Sequence, residues 1–230
     1  MISVCIATYN GERYICCQLD SILAQIGEND EVIISDDSST DGTVDIIRSY
    51  HDDRIKLYKG QQFHSPIFNF ENAIKHANGD IIFLADQDDK WLPGRVEHAL
   101  KMHERGYDFV MCNTRTIYKD HTEEGWLDPF SRPYWKNLLK PAYVGCTMSF
   151  KRELLNMVLP FPKSIAMHDL WMGLLAQRNF RCFFIDDPLI EYNRHEESFV
   201  ARHPMSTYTR IKYRVNMLWQ VLKREKEVRI

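Results

Sequence analysis

Ile81-Ile-Phe-Leu-Ala-Asp-Gln-Asp-Asp-Lys-Trp91 is the stretch from which the fold of this 230-residue chain can be inferred. Its apolar first part, Ile81 to Ala85, has the length and composition of a buried strand. Three carboxylates, Asp86, Asp88 and Asp89, follow at once, where ligands bind in an open α/β sheet. A divalent cation carrying a phosphate ligand would balance these like charges. An acidic surface turn, with Asp89 capping the next helix, is the alternative.

Strand-like and helix-like segments alternate around this stretch. The predicted strands are residues 4–8, 32–35, 55–58, 81–85 and 109–113. The predicted helices between them are residues 15–23, 44–50, 68–77 and 93–105. Such alternation implies right-handed crossovers and a mostly parallel sheet with helices on its faces. We find no Gly-x-Gly-x-x-Gly and no Walker lysine loop at a strand-to-helix turn, which disfavours dinucleotide-binding and P-loop proteins.

The second half of the chain has a different character. Residues 114–143 are aromatic, rich in proline and poorly periodic, as functional loops often are. We then predict a strand at 144–150, a short helix at 151–158, a helix opening near 166 and ending near 178, and strands at 181–185 and 189–192. From Ser206 onward the sequence predicts a basic amphipathic helix. Its charged side is either a solvated face of a helix packed on the domain or a membrane-surface contact.

Composition excludes several classes of protein. A net charge of -3 gives no general attraction to nucleic acid, so no nucleic-acid partner is expected. None of the six cysteines forms a Cys-x-x-Cys pair, which argues against zinc and redox sites. No apolar run approaches the ~18 residues of a membrane span, and Met1 leads straight into a strand-like segment rather than a signal peptide. We therefore expect reduced thiols and a cytoplasmic location.

Three blocks in succession carry a specific resemblance. They are Val4-Cys-Ile-Ala-Thr-Tyr-Asn10, Ser35-Asp-Asp-Ser-Ser-Thr-Asp-Gly-Thr43 and Ala85-Asp-Gln-Asp-Asp-Lys-Trp91. In order and spacing they resemble the signatures of glycosyltransferase family 2. The resemblance implies the GT-A fold: an α/β, Rossmann-like, mixed and mostly parallel central sheet flanked by helices. It also implies inverting transfer from a nucleotide-activated sugar.

The likeness covers roughly residues 2 to 200. We expect one glycosyltransferase domain over residues 1–205, with a nucleotide-binding half (1–113), an acceptor-binding half (114–205) and a separate C-terminal helix (206–230). The Asp-Gln-Asp-Asp-x-Trp block, together with His168-Asp169, looks most like bacterial rhamnosyltransferases of surface-polysaccharide and O-antigen assembly.

The resemblance also implies roles for individual residues in the first half. Asp37 matches the residue that accepts a hydrogen bond from a uracil or thymine imide. The rest of the nucleotide and donor site would be formed by Ala7, Thr8, Asn10, Glu12, Asp86, Gln87 and Arg194.

The metal and the chemistry are expected at two places. Asp88 matches the ligand of a Mn²⁺ or Mg²⁺ ion under the diphosphate, with Asp86 and His195 beside it. Metal charge would stabilise the departing nucleoside diphosphate. Asp169 matches the catalytic base, since single-step inversion needs a base on the acceptor's face. A plain helix N-cap is the alternative for Asp169.

The acceptor side is the least defined. Candidate residues are Asp89, Trp91, Cys146, His168 and Trp171. His168 stands where many relatives have glutamate, so whether it orients the acceptor, tunes Asp169 or is only a feature of the subfamily stays open. Aromatic rings could stack on a sugar, with core packing as the alternative.

The overall expectation is a metal-dependent hexosyltransferase. It would move a sugar, rhamnose by preference, from a dTDP or UDP donor to a hydroxyl of a glycan, lipid-linked at the inner face of the cell membrane. A UDP-hexose or UDP-N-acetylhexosamine donor is the alternative within the fold. A phosphohydrolase with Asp86 as nucleophile and a nucleotide-sugar-binding module without turnover are the alternatives of other classes.

Overall fold

A computed structural model describes residues 1–125, 128–194 and 207–228, with the side chains of residues 207, 208 and 210 excepted. Within these ranges nine strands form one sheet, in the order β3-β2-β1-β4-β8-β6-β9-β5, with β7 paired to β6. The strands are β1 Ile2–Thr8, β2 Glu31–Asp36, β3 Ile55–Tyr58, β4 Ile81–Asp86, β5 Lys90–Trp91, β6 Phe109–Ile117, β7 Thr122–Glu124, β8 Met148–Lys151 and β9 Cys182–Asn193.

Helices cover both faces of this sheet. They are α1 Ile15–Leu23, α2 Thr43–Ser49, α3 Pro66–His76, α4 Arg95–Glu104, α5 Tyr134–Leu139, α6 Leu155–Val158, α7 His168–Asn179 and α8 Thr207–Val228. Successive side chains of a strand point to opposite faces of the sheet, so each strand packs against helices on both faces. In β1, Val4 and Ile6 pack with α1, α2 and α4, whereas Cys5 packs with α3, α6, α7 and α8.

The two halves of the chain pair their strands differently. β1, β2, β3 and β4 are mutually parallel, as predicted for strands joined by helical crossovers. β8 then joins β4 to β6 in antiparallel pairing, and β9 returns parallel to β6. The sheet is therefore mixed, with a parallel nucleotide-binding type of half, and the predicted fold class is confirmed.

Several predicted element bounds were wrong in the second half. The strand expected at 144–150 begins only at Met148, because Gly145–Thr147 forms a 3₁₀ turn. The helix expected at 151–158 is split into a 3₁₀ turn, Arg152–Leu154, and the short α6. The two strands expected after Arg181 are one strand, β9, with a register irregularity opposite Cys112 and Asn113. β5, β7 and α5 were not predicted.

The C-terminal helix α8 packs against α3, α6 and α7. Met217 and Val221 are buried in the cluster that contains α3, α6 and α7. Arg178 of α7 donates to the buried Glu225 at 2.6 and 3.0 Å, and Arg224 donates to the carbonyls of Met157, Leu159 and Pro160. Among the described residues, no helix is both long enough and apolar enough to cross a membrane.

Candidate active site

The carboxyl ends of three parallel strands bring the first predicted site residues together. β1 pairs with β2 on one side and with β4 on the other, so Thr8 lies opposite Asp36 and Ala7 lies opposite Asp86. Thr8 is buried and its hydroxyl donates to Asp36 at 2.9 Å. The first two predicted signature blocks and the acidic block therefore meet at one edge of the sheet.

Asn10 and Glu12 hold the loop that follows β2. The Oδ1 of Asn10 accepts from the amide of Thr40 at 2.8 Å, and the Oε2 of Glu12 accepts from the amide of Gly42 at 2.7 Å. Asn10 has a φ of 49°, a left-handed conformation that asparagine tolerates better than most residues. Both side chains thus shape the wall of the predicted nucleotide cleft, and a direct contact with a nucleotide stays a prediction.

Asp37 holds a second loop of the cleft. Its two carboxylate oxygens accept from the amides of Phe63 at 2.6 Å and Ser65 at 3.1 Å. This loop leads into α3, whose Asn69 donates to the carbonyl of Thr8 at 3.0 Å. The carboxylate is in place at the end of β2, as the base-binding prediction requires, and its loop contacts were not foreseen from the sequence.

The acidic block forms a tight cluster with a cysteine. Asp86, Asp89 and Cys146 place one ligand-type atom each within 4.8 Å of one another. Burial, together with the neighbouring charges of Asp88 and Asp169, raises the pKa of Asp86 to about 7. Burial and the charges of Asp86 and Asp88 likewise raise the pKa of Asp89. These carboxylates are thus crowded enough for a bound cation to stabilise their ionised forms.

The other predicted metal ligands stand differently. Asp88 is half-buried beside this cluster without being part of it. His195 lies outside the described residues, and Arg194, the last residue before it, is exposed and donates its amide to Ile117. The ligand set of Asp86, Asp88 and His195 therefore stays a prediction.

Asn193 links the acidic block to the end of β9. Its amide donates to Asp89 Oδ1 at 3.1 Å, and its side-chain Nδ2 donates to the carbonyl of Asp88 at 2.6 Å. On the other side, the Gln87 side chain forms a pair of hydrogen bonds with the backbone of Tyr9, at 2.9 and 3.0 Å. Sequence reasoning missed Asn193, which lies more than a hundred positions away. Gln87 thus holds the loop that follows β1, and its predicted contact with the sugar donor stays a prediction.

Asp169 comes to this edge from the second half of the chain. It lies in the first turn of α7, and burial raises the pKa of its carboxyl to about 6, an effect that the amide of Leu170 and the charge of Arg214 in α8 oppose. Its charge in turn raises the pKa of Asp86. A carboxyl group from the predicted acceptor half thus lies within electrostatic reach of the acidic block.

His168 is buried beside Asp169. Its ring stacks on Phe70 of α3 with centroids 4.3 Å apart, and burial lowers its pKa to about 4, so the ring is neutral. Neither ring nitrogen has a hydrogen-bond partner among the described residues. A neutral imidazole offers one donor and one acceptor, which are the groups a sugar hydroxyl needs.

Three other predicted acceptor residues are core residues. Trp91 packs between Phe83 and Arg95, and Trp171 is fully buried with its indole donating to the carbonyl of Val158 at 2.9 Å. Cys146 is fully buried next to Asp86 and Asp89. Their burial favours the alternative of core packing, and a contact of any of the three with a sugar stays a prediction.

The acidic block fits a hard divalent cation. Asp89 Oδ2 is buried without a hydrogen-bond partner among the described residues, and carboxylate oxygens are the ligands that Mn²⁺ and Mg²⁺ take. Burial and the two carboxylates raise the pKa of the Cys146 thiol, which favours its protonated form over a thiolate ligand. Asp86 and Asp89, with the neighbouring Asp88, are therefore the carboxylates that such an ion could use, and which of them would hold it stays a prediction.

The family model for glycosyl transferase family 2 matches residues 3–159. The chain belongs to this family. That match covers all three signature blocks and extends past Cys146, and the family predicted from the blocks is confirmed. The protein is accordingly an enzyme of glycosyl transferase family 2.

Curated relatives are similar over most of the chain. The Escherichia coli UDP-Glc:alpha-D-GlcNAc-diphosphoundecaprenol beta-1,3-glucosyltransferase WfgD is 28% identical over 80% of this chain and 75% of its own length. A Bacillus subtilis glycosyltransferase named for teichuronic acid biosynthesis, TuaG, is 30% identical over 84% of this chain and 78% of its own. The Shigella flexneri dTDP-rhamnosyl transferase RfbG is 28% identical over 85% of this chain and 73% of its own length.

Solved structures share the fold of this family-2 chain. The S. aureus TarS fragment 1-349 in complex with UDP-GlcNAc has a TM-score of 0.73 at 19% identity, covering 97% of this chain and 72% of its own. The Pyrobaculum calidifontis mannosyltransferase PcManGT, in complex with GDP-Man and Mn2+, has a TM-score of 0.66 at 23% identity. The match covers 87% of this chain and 59% of the PcManGT chain.

Proposed function

We propose that this family-2 enzyme is a metal-dependent inverting glycosyltransferase of bacterial surface-polysaccharide assembly. One observation carries the proposal. Asp169 belongs to the second half of the chain, yet it lies close enough to the acidic block to raise the pKa of Asp86. A general base near a cation-binding cluster is what single-step transfer needs.

The chemistry assigns each side of the cleft one task. A Mn²⁺ or Mg²⁺ ion held by Asp86, Asp88 and Asp89 would neutralise the diphosphate leaving group. Asp169 takes the proton of the acceptor hydroxyl while that oxygen forms its bond to the anomeric carbon. The bond from the anomeric carbon to the diphosphate oxygen breaks, and the nucleoside diphosphate leaves with its electron pair. Attack opposite the leaving group inverts the anomeric centre.

For the donor, we propose first the nucleotide and then the sugar. The loops held by Asn10, Glu12 and Asp37 are proposed to form the nucleotide side of the site, with Ala7 and Thr8 at the end of β1 beside them. UDP and dTDP are the nucleotides proposed. A dTDP-rhamnose donor is supported by the likeness to RfbG, and a UDP-hexose donor by the likeness to WfgD, whose names carry those nucleotides.

The acceptor is proposed to be a hydroxyl of a glycan, lipid-linked at the inner face of the cell membrane. WfgD is named for an acceptor on diphosphoundecaprenol. His168 directly precedes Asp169, and its two ring nitrogens have no partner among the described residues, which supports a role for this buried side chain on the acceptor side. Asp89 is buried and accepts from Asn193, which supports a role in shaping the acidic block rather than touching the acceptor.

Turnover with defined donors tests this proposal. The chain would be incubated with dTDP-rhamnose, UDP-glucose and UDP-N-acetylglucosamine, each with Mn²⁺ or with a chelator, and a GlcNAc-diphosphate lipid as acceptor. We expect one donor to give a product whose new linkage is inverted by NMR, with no product under chelation. A product whose new linkage retains the anomeric configuration of the donor would contradict the mechanism. Equal activity with and without the chelator would contradict it as well.

A further inference from the structure

The outer face of α8 is apolar and open to solvent. Ile211, Val215, Trp219 and Leu222 are 60%, 66%, 56% and 43% exposed, and we call these four residues the α8 stripe. At 100° per residue they fall within one side of the helix, whereas Met217 and Val221, on the opposite side, are buried in the core.

Exposed apolar side chains concentrate in this region. α5 packs against α8 and adds Trp135 and Leu139, which are also exposed. Outside these two helices, the exposed large apolar residues of the described chain are only Met1 and Tyr9. Isolated exposed apolar residues are normal in soluble proteins, but a contiguous group marks an interaction surface.

The charges around the α8 stripe are basic. Lys212, Lys223 and Lys226 are exposed on α8. Between Ile211 and Lys226 the helix has a single carboxylate, Glu225, which is buried and bonded to Arg178 and Asn179. Lys223 also lies over the ring of Trp219, 5.4 Å from its centroid.

A groove of about 540 Å³ runs beside this helix, between α3 and the loop before α7. Its lining includes four cationic side chains and two carboxylates, which are Lys75, Lys163, Lys223, Arg224, Glu71 and Glu227. Glu71 pairs with Lys75, and Glu227 pairs with Lys223 and Arg224. The charge beside the α8 stripe is therefore a net positive one.

We propose that the α8 stripe lies in the interface plane of an anionic lipid surface, with Lys212, Lys223 and Lys226 at the level of the headgroups. An apolar face with a tryptophan, bordered by lysines that outnumber the one exposed carboxylate of α8, Glu227, has the chemistry of an in-plane membrane helix. The surface follows from the geometry of α8 and does not rest on the proposed sugar transfer.

Vesicle sedimentation tests the proposal. The 230-residue chain would be spun with vesicles of phosphatidylcholine alone and of equimolar phosphatidylcholine and phosphatidylglycerol. We expect sedimentation with the anionic vesicles only. The double variant V215S/W219S should reduce the partition coefficient by about tenfold or more, since it removes apolar area from the buried face. Because both side chains are exposed, its circular dichroism and melting temperature should match the parent chain.

A charge-matched pair of variants tests the lysines. Lys212→Glu should weaken partitioning by about fivefold or more, whereas Lys101→Glu, an exposed lysine of α4 on the opposite face of the sheet, should leave it unchanged. Equal losses in both variants, equal binding to neutral vesicles, or no binding at all would overturn the proposal. A dimer in light scattering that V215S/W219S converts to a monomer, without vesicle binding, would assign the surface to a second copy instead.

Discussion

At the scale of single residues, the account depends most on Asp169. Asp169→Asn keeps the shape of the side chain and removes its ability to accept a proton. We expect kcat to fall by about 10²–10⁴, the usual contribution of a general base, while nucleotide affinity changes little. Because the charge of Asp169 raises the pKa of Asp86, the variant should also lower that pKa.

The kinetic test has a matched control. Asp53→Asn makes the same change at an exposed aspartate outside the cleft and should leave kcat and nucleotide binding unaltered. Steady-state rates with the active donor and calorimetry with its nucleotide measure the two properties separately. An Asp169→Asn enzyme that retains a tenth or more of the parent rate would show that the base is elsewhere.

The raised pKa values of Asp86 and Asp169 predict how the stability of the metal-free chain changes with pH. In the unfolded chain both carboxyls lose their protons near pH 4. In the folded chain they keep them until about pH 7 and about pH 6. Between these values the folded state binds more protons, so these two groups lower the free energy of unfolding as pH rises from 4 to 7.

Asp86→Asn isolates this effect. Asparagine resembles the protonated carboxyl, so the variant should match the parent at pH 4. At pH 8 it should be more stable than the metal-free parent by about 1–3 kcal/mol. Urea unfolding at both pH values, with Asp53→Asn as the control, measures the difference. Equal stability of variant and parent at pH 8 would contradict the crowding of charges described for the acidic block.

Asn193 is predicted to position the acidic block. Asn193→Ala removes the hydrogen bond to the Asp88 carbonyl and keeps the amide that donates to Asp89. We expect Mn²⁺ affinity to fall by about tenfold, as for other side chains that orient metal ligands. Asn113→Ala, which removes a hydrogen bond to Asp186 on the neighbouring strand, is the control. Unchanged Mn²⁺ affinity in Asn193→Ala would show that Asp88 needs no such support.

Only some residues of the site could be predicted from the sequence. Asp37, Asp86, Asp88 and Asp169 stand next to predicted strand ends or helix starts, where local sequence indicates a binding edge. Asn193 and Arg214 act on the site only because β9 and α8 fold back onto it. Their sequence separation from the acidic block carries no local signal, so only the structure could find them.

At the scale of elements, α7 depends on a glycine. A Cβ at Gly173 would collide with ring carbons of Tyr143, whose hydroxyl donates to Gln177 of the same helix at 2.6 Å. Both side chains are buried or bonded, so neither has room to move. Gly173→Ala should destabilise the chain by about 1–3 kcal/mol through overpacking.

A second glycine is the control for this substitution. A Cβ at Gly27 would be 3.4 Å from Asp30 Oδ2, an ordinary contact, so Gly27→Ala should change stability by less than about 1 kcal/mol. Melting temperatures of both variants measure the difference. A Gly173→Ala protein as stable as Gly27→Ala would mean that Tyr143 is free to leave α7.

Element prediction succeeded where periodicity was strong. The buried parallel strands and α1 through α4 follow from apolar runs and helical spacing, and these elements were predicted within a few residues. β5 and β7 are two and three residues long, and their strand character comes from pairing with β9 and β6 rather than from their own sequence. The 3₁₀ turn at Gly145 likewise depends on its packing, because its glycine faces the ring of His168.

At the scale of the whole molecule, the sheet joins two kinds of half. A parallel half holds Thr8, Asp36, Asp37 and the acidic block at its carboxyl edge, and a second half brings Asp169 and Asn193 to the same edge through α7 and β9. The central claim is that this shared edge binds a nucleotide through a divalent metal.

Calorimetric titration of the chain with UDP, dTDP and GDP, each with Mn²⁺ and with a chelator, tests that claim most directly. We predict that UDP or dTDP binds at least about tenfold more tightly with Mn²⁺, that GDP binds more weakly, and that Asp88→Asn removes the metal effect. The preferred nucleotide then selects between a rhamnosyl and a hexosyl donor. Absence of nucleotide binding with and without Mn²⁺ would contradict the assignment of the acidic block and of Asp37 together.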